Sequence, residues 1–150
     1  MDKKLEELIE SPVNGIQIHR SLGRYFYHGI LSLAQQKSNR VVCVGNSSSG
    51  IKETPFFGCP TVNIGSRQQG RLRGKNVIDC DYKEQSIFSA VIRCIEDDEF
   101  RDTCSGTDNP YYLGNAGKKI AKVLAKIPID NTLLRKRMML KGEYDDGCFR

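Results

Sequence analysis

The sequence predicts an α/β fold in which a parallel sheet lies between layers of helix. Two features point there. Val41, Val42, Cys43 and Val44 form a β-branched apolar run without alternation, the pattern of a strand covered on both faces. Around it, strand-type and helix-type segments follow one another, which suits a three-layer sandwich with right-handed crossovers.

The elements are read in chain order. Leu5, Leu8 and Ile9 on a charged background predict an opening amphipathic helix, stopped by Ser11-Pro12 and Asn14-Gly15. Ile16, Gln17, Ile18 and His19 alternate as a short strand would. Phe26, Tyr27, Ile30, Leu31 and Ala34 recur at helical spacing and predict a helix over 25–36. After the 41–44 strand, Gly45-Asn46-Ser47-Ser48-Ser49-Gly50 leads into a short helix ending near Gly58, with Pro60 beyond. Residues 61–64 and 77–80 read as two more strands, separated by a polar, arginine-rich loop. Ile87, Phe88, Val91, Ile92 and Ile95 mark the apolar face of a helix that ends in Glu96-Asp97-Asp98-Glu99. A polar loop with Asn109-Pro110 follows. Ile120, Val123, Leu124 and Ile127 then share one face of a helix running from Asn115 to Pro128, and residues 133–141 form a last basic helical stretch.

At 150 residues and 39% hydrophobic content, the chain can bury a core as one globular unit. No apolar run approaches the roughly 20 residues that cross a bilayer, and residues 1–10 lack an apolar signal core, so a cytoplasmic protein is expected. The six cysteines, Cys43, Cys59, Cys80, Cys94, Cys104 and Cys148, form no C-x-x-C pair and read as reduced thiols, mostly core filler. The net charge of +5 is uneven: Lys118, Lys119, Lys122, Lys126, Arg135, Lys136, Arg137 and Lys141 face one acid, Asp130, leaving the rest of the chain slightly acidic. Those basic residues lack interleaved stacking aromatics, so nucleic-acid binding ranks last among the functions considered.

Residues 41–53 carry the most chemical information. A buried-type strand running into a Gly/Ser loop and a helix start collects unpaired N–H groups, hydroxyls and the positive end of a helix dipole, which together suit an anion. Three nucleotide or catalytic patterns fail there. A P-loop requires lysine where Ile51 stands, G-x-G-x-x-G is absent because Asn46 and Ser47 follow Gly45, and Ser48 has Asn46 where a nucleophile elbow needs glycine. Spacing alone leaves two readings open, a phosphate loop and an ordinary serine N-cap.

The strings Gly45 through Glu53, Phe57 through Gly65, Arg67-Gln68-Gln69-Gly70-Arg71, Asn76 through Cys80, Asn109-Pro110-Tyr111 and Gly114-Asn115-Ala116 together resemble the C-terminal half of hydrolysing UDP-N-acetylglucosamine 2-epimerases, which begin bacterial sialic and legionaminic acid synthesis. The resemblance implies a Rossmann-like sheet, here a partial second domain of a two-domain nucleotide-sugar epimerase, over residues 1–142, with 143–150 a flexible tail. It also implies site roles. Ser47, Ser48, Ser49 and Gly50 would hold the distal phosphate of UDP, Glu53 would accept the ribose hydroxyls, and Arg67 would sit at the nucleotide cleft. Arg71 is a further candidate, and Tyr27, with the loop 21–23, would neighbour the uracil. The lesser alternative for Glu53 is an acid favourably placed in the first turn of its helix. Arg73 is expected in solvated loop, His19 and His28 as structural or surface residues, and the 96–99 acids as solvated surface.

The implied reaction eliminates UDP to a glycal, then adds water with inversion at the sugar's second carbon, giving an N-acetylmannosamine-type product. The resemblance places the acid–base carboxylates in an N-terminal domain, and no catalytic residue, metal or cofactor is assigned to this chain. The expected partners are a UDP-amino sugar, built on N-acetylglucosamine or a related sugar, and either a second copy or an N-terminal domain. Without the first two strands of such a sheet, an edge beside residues 41–44 would lie open, favouring self-association or marginal stability. Two other readings compete: a non-catalytic remnant acting as a nucleotide-binding or protein-interaction module through the basic 118–141 segment, and a glycosyltransferase fragment, which the 46–53 and 67–71 strings disfavour.

Overall fold

A computed structural model describes residues 15–112 and 114–130, and the backbone at 144–145 and 148–149. The elements run α1 (Gly23–Ser32) with a 3-10 turn at Leu33–Gln35, β1 (Cys43–Gly45), α2 (Ser49–Lys52) with a 3-10 turn at Thr54–Phe57, β2 (Thr61–Ile64), β3 (Val77–Cys80), α3 (Glu84–Glu96), α4 (Asp98–Ser105) and α5 (Ala116–Leu124). The short strands β4 (Tyr144–Asp145) and β5 (Cys148–Phe149) pair antiparallel. The expected helices over 1–10 and 133–141 lie outside the described residues.

The sheet is parallel, in the order β1-β2-β3, with Cys43 opposite Thr61 and Thr61 opposite Val77. Its three layers follow from alternation along the strands. Val62 and Ile64 turn to one face, where α3 supplies Ala90, Val91 and Cys94. Cys43 turns to the other, where Leu31 and Ala34 from the α1 side close over Cys59. The strongly amphipathic pattern of α3 is what lets one helix cover two strands.

Among the described residues, the central strand and not the first has the double coverage expected of the first. Residues 61–63 of β2 are buried, whereas Val44 in β1 is 47% exposed. The reason is position: among the described residues β1 pairs with β2 alone and is an edge. The expected strand at 16–19 is also absent. Ile16 and Ile18 are exposed, 48% and 40%, in irregular backbone, since alternation cannot make a strand without a ladder to join.

Two further expectations change. The polar segment after Glu96 holds a whole helix, α4, capped by Asp97, whose Oδ1 accepts from the Phe100 N–H at 2.8 Å. Asp98 pairs with Arg40 at 2.6 Å, so the acidic run is a helix junction as well as surface. Helix α5 forms where expected, yet Ile120, Val123 and Leu124 on its apolar face are exposed.

Candidate functional site

At the end of β1 the chain turns through Asn46 and Ser47 into α2. Ser47 Oγ lies 3.0 Å from Ser49 Oγ and accepts from the Ser49 N–H at 3.4 Å. The bond to the Ser49 N–H makes Ser47 the capping serine of this turn, while Ser48, at the N-cap position, makes no side-chain cap bond and keeps its hydroxyl uncommitted. The first amides used by the turn are those of Gly50 and Ile51, bonded to the Ser47 and Ser48 carbonyls at 3.2 Å. The Ser47 and Ser48 N–H groups have no acceptor among the described residues. Helix α2 is a single turn, so donors in this loop, rather than a long helix's dipole, supply the positive potential.

A buried polar network fixes this turn from behind. Thr54 Oγ1 donates to the Gly50 carbonyl at 2.6 Å and accepts from Thr61 Oγ1 at 2.8 Å and Asn76 Nδ2 at 3.0 Å. All three residues are at most 2% exposed. Gly50 is needed for close packing: a Cβ there would meet Thr61 Cγ2 at 3.3 Å and Cys43 Sγ at 3.6 Å.

Glu53 closes the single turn of α2 as its C-cap and is also the N-cap of the 3-10 turn that follows, where its side chain makes no capping hydrogen bond. Its Oε2 is instead 2.6 Å from His28 Nε2 on α1. Beside them, Tyr27 donates to Ser49 Oγ at 3.4 Å and lies 3.9 Å from Cys43 Sγ. Burial pushes the Tyr27 phenol up to about 12, and the Ser49 hydrogen bond offsets part of that rise. Ser21, Leu22, Arg24, Tyr27, Ser49 and Glu53 line one cleft of about 470 Å³. The candidates from α1 and from the serine loop, 20 or more residues apart in sequence, thus meet at one place.

The arginine-rich loop braces the serine loop from the other side. Arg67 Nη1 donates to Asn46 Oδ1 at 3.4 Å, and buried Gln68 donates to the Asn46 carbonyl at 2.7 Å. Arg71 is exposed, and its carbonyl accepts from Arg73 Nη1 at 2.6 Å. Arg73 is not solvated loop. It also donates to the Gln68 carbonyl at 3.1 Å, and its Nε lies 2.7 Å from Asp79 Oδ2, an ion pair whose N–H is not aligned for a hydrogen bond. Asp79 Oδ1 in turn accepts from buried Asn63 at 2.6 Å.

Ser47, Ser48, Ser49, Gly50, Glu53 and Tyr27 therefore cluster, Arg67 reaches the loop through Asn46, and Arg71 makes no side-chain hydrogen bond to it among the described residues. Three residues escaped the sequence reading: His28, Gln68 and Thr54. Only the Ser-rich string flagged the neighbourhood; a lone histidine on a helix carries no signal until Glu53 is seen beside it. Among the described residues, no three metal-ligating side chains gather, and no helix is long and apolar enough to cross a membrane.

Residues 1–125 match the family model described as UDP-N-acetylglucosamine 2-epimerase. The chain is 35% identical over 119 residues to the GDP/UDP-N,N'-diacetylbacillosamine 2-epimerase (hydrolyzing) of Campylobacter jejuni, covering 79% of this chain and 29% of that protein. It is 33% identical over 99 residues to the UDP-N,N'-diacetylbacillosamine 2-epimerase (hydrolyzing) of Legionella pneumophila, covering 66% and 25%. With the UDP-N-acetylglucosamine 2-epimerase of Neisseria meningitidis it shares 42% identity over 67 residues, covering 43% and 18%. The chain spans less than a third of the length of these relatives.

Proposed function

The chain belongs to the UDP-N-acetylglucosamine 2-epimerase family, and we propose that it forms the UDP-binding side of a hydrolysing UDP-amino-sugar 2-epimerase site. The observation that supports this most is the shared cleft of Tyr27, Ser49 and Glu53 beside a serine loop in which the Ser47 and Ser48 N–H groups have no acceptor among the described residues. The distal phosphate is received by the Ser47 and Ser48 amides and the Ser48 hydroxyl, on a turn that Thr54 holds through the Gly50 carbonyl. Glu53 accepts the vicinal ribose hydroxyls, a task suited to an acceptor-only carboxylate. Arg67 sets the loop through Asn46 and adds positive charge at its rim.

In the reaction proposed for the complete site, the bond from the anomeric carbon to the diphosphate oxygen breaks as the proton on the second carbon is removed. UDP leaves and a glycal remains. Water then adds, hydroxyl to the first carbon and a proton to the opposite face of the second. The serine loop's contribution is electrostatic: fixed donors stabilise the diphosphate as it takes up the electron pair of the broken bond. The acid–base steps are assigned to none of the residues in this cleft.

Calorimetric titration with UDP tests the reading. The wild-type chain binds, and Ser48→Ala weakens binding about 10-fold or more, the loss of one hydrogen bond to a charged group. Absence of binding by the wild-type protein, in a sample with a cooperative melt, would falsify it.

A further inference from the structure

Glu53 is held by a partner that the nucleotide reading does not by itself require. The His28 Nε2 to Glu53 Oε2 distance is 2.6 Å, both side chains are about a third exposed, and the residues come from different elements. Since an ionised carboxylate only accepts, Nε2 carries the hydrogen whether the ring is neutral or cationic. The ring is itself seated, with its centre 5.3 Å from that of Phe57 and 5.9 Å from that of Tyr27. His28 is therefore a fixed donor beside a side chain with three rotatable bonds at the mouth of a cleft.

We propose that His28 is a positioning residue for ribose recognition: it clamps one oxygen of Glu53, so the remaining lone pairs are presented to the vicinal hydroxyls without first being ordered. The inference rests on the UDP reading above. One bond to Oε2 uses one of about four acceptor sites on the carboxylate, leaving enough for two hydroxyls. Preordering a flexible acid avoids the entropy cost that binding would otherwise carry. The same bond ties α1 to α2, the two elements that form the walls of the cleft.

The test is a titration of the full chain with UDP and with 2′,3′-dideoxy-UDP, which lacks the diol. His28→Ala should weaken UDP by about 3- to 10-fold, the cost of ordering one long side chain on binding, and the dideoxy analogue by less than about 2-fold. His28→Leu keeps bulk against Phe57 but has no donor, and should behave like His28→Ala. His28→Gln, whose amide can donate from nearly the same place, should recover most of the UDP affinity. Unchanged UDP affinity in both donor-free variants overturns the inference alone, as do equal losses for the two ligands, which would mark a merely structural role. Failure of the wild-type chain to bind UDP overturns the nucleotide reading and this inference with it.

Discussion

Asn76, the residue before β3, donates from Nδ2 to Thr54 Oγ1 at 3.0 Å across the buried side of the sheet. That bond joins the start of one strand to the 3-10 turn that carries the serine loop. Thr54→Val keeps the shape but removes the hydroxyl, so the Asn76 amide and the Thr61 hydroxyl each lose a bond. The expected cost is about 1–3 kcal/mol in urea unfolding, with Thr54→Ser retaining most of the stability. A Thr54→Val variant as stable as wild type would show the network to be incidental.

Gly58 ends the 3-10 turn in the left-handed region, at φ 60, and a Cβ there would meet Ser105 Cα at 3.0 Å. Backbone cannot yield as a side-chain tip can. Gly58→Ala should cost about 1–2 kcal/mol for the conformation alone, plus the displacement of α4. Thermal melts check this, and an unchanged midpoint would refute it.

Arg101 is 8% exposed and donates from Nη1 to the Cys94 carbonyl at 2.9 Å and from Nη2 to the Asn39 carbonyl at 2.7 Å. It ties α4 to α3 and to the approach to β1. Arg101→Met leaves both carbonyls without that donor, at about 1–3 kcal/mol each, and Arg101→Lys cannot span the pair with a single ammonium. Chemical denaturation should place both variants below wild type, with lysine recovering at most part of the loss.

Burial pushes the Cys59 and Cys94 thiols up to about 12 and Cys104 to about 11 from an ordinary value of 9.0. In the unfolded chain they ionise near 9, while the fold holds them neutral. Their contribution to stability is thus complete below about pH 9 and is lost as pH rises towards 11–12. Two measurements follow: stability falling above pH 9, and these three thiols staying unreactive towards Ellman's reagent in the folded protein at pH 8. Prompt labelling of Cys59 in folded protein would contradict the burial.

Among the described residues β1 is an open edge, with Val44 47% exposed, and a concentration-dependent oligomer is the expected state of this chain in solution. Sedimentation velocity of wild type and Val44→Lys is the check. The lysine should shift the distribution towards monomer, and a wild-type monomer at all concentrations would remove the prediction.

The sequence by itself determined the layer plan and pointed to the loop of the candidate site. The strand-type segments at 61–64 and 77–80 and the stripe from Ile87 to Ile95 are local patterns, and local patterns report which face of an element is buried. The Gly45–Gly50 string was legible for a similar reason, since its chemistry lies in consecutive residues. Tertiary structure alone decided which strands find neighbours and which polar groups meet. It left Ile16 to His19 without a ladder and Val44 on an edge, drew Arg73 to Asp79, and set His28 against Glu53. Those outcomes depend on where distant segments pass in space. A polar side chain carries no periodic signature of its partner, so a bond between residues 25 positions apart becomes visible only when the chain has folded.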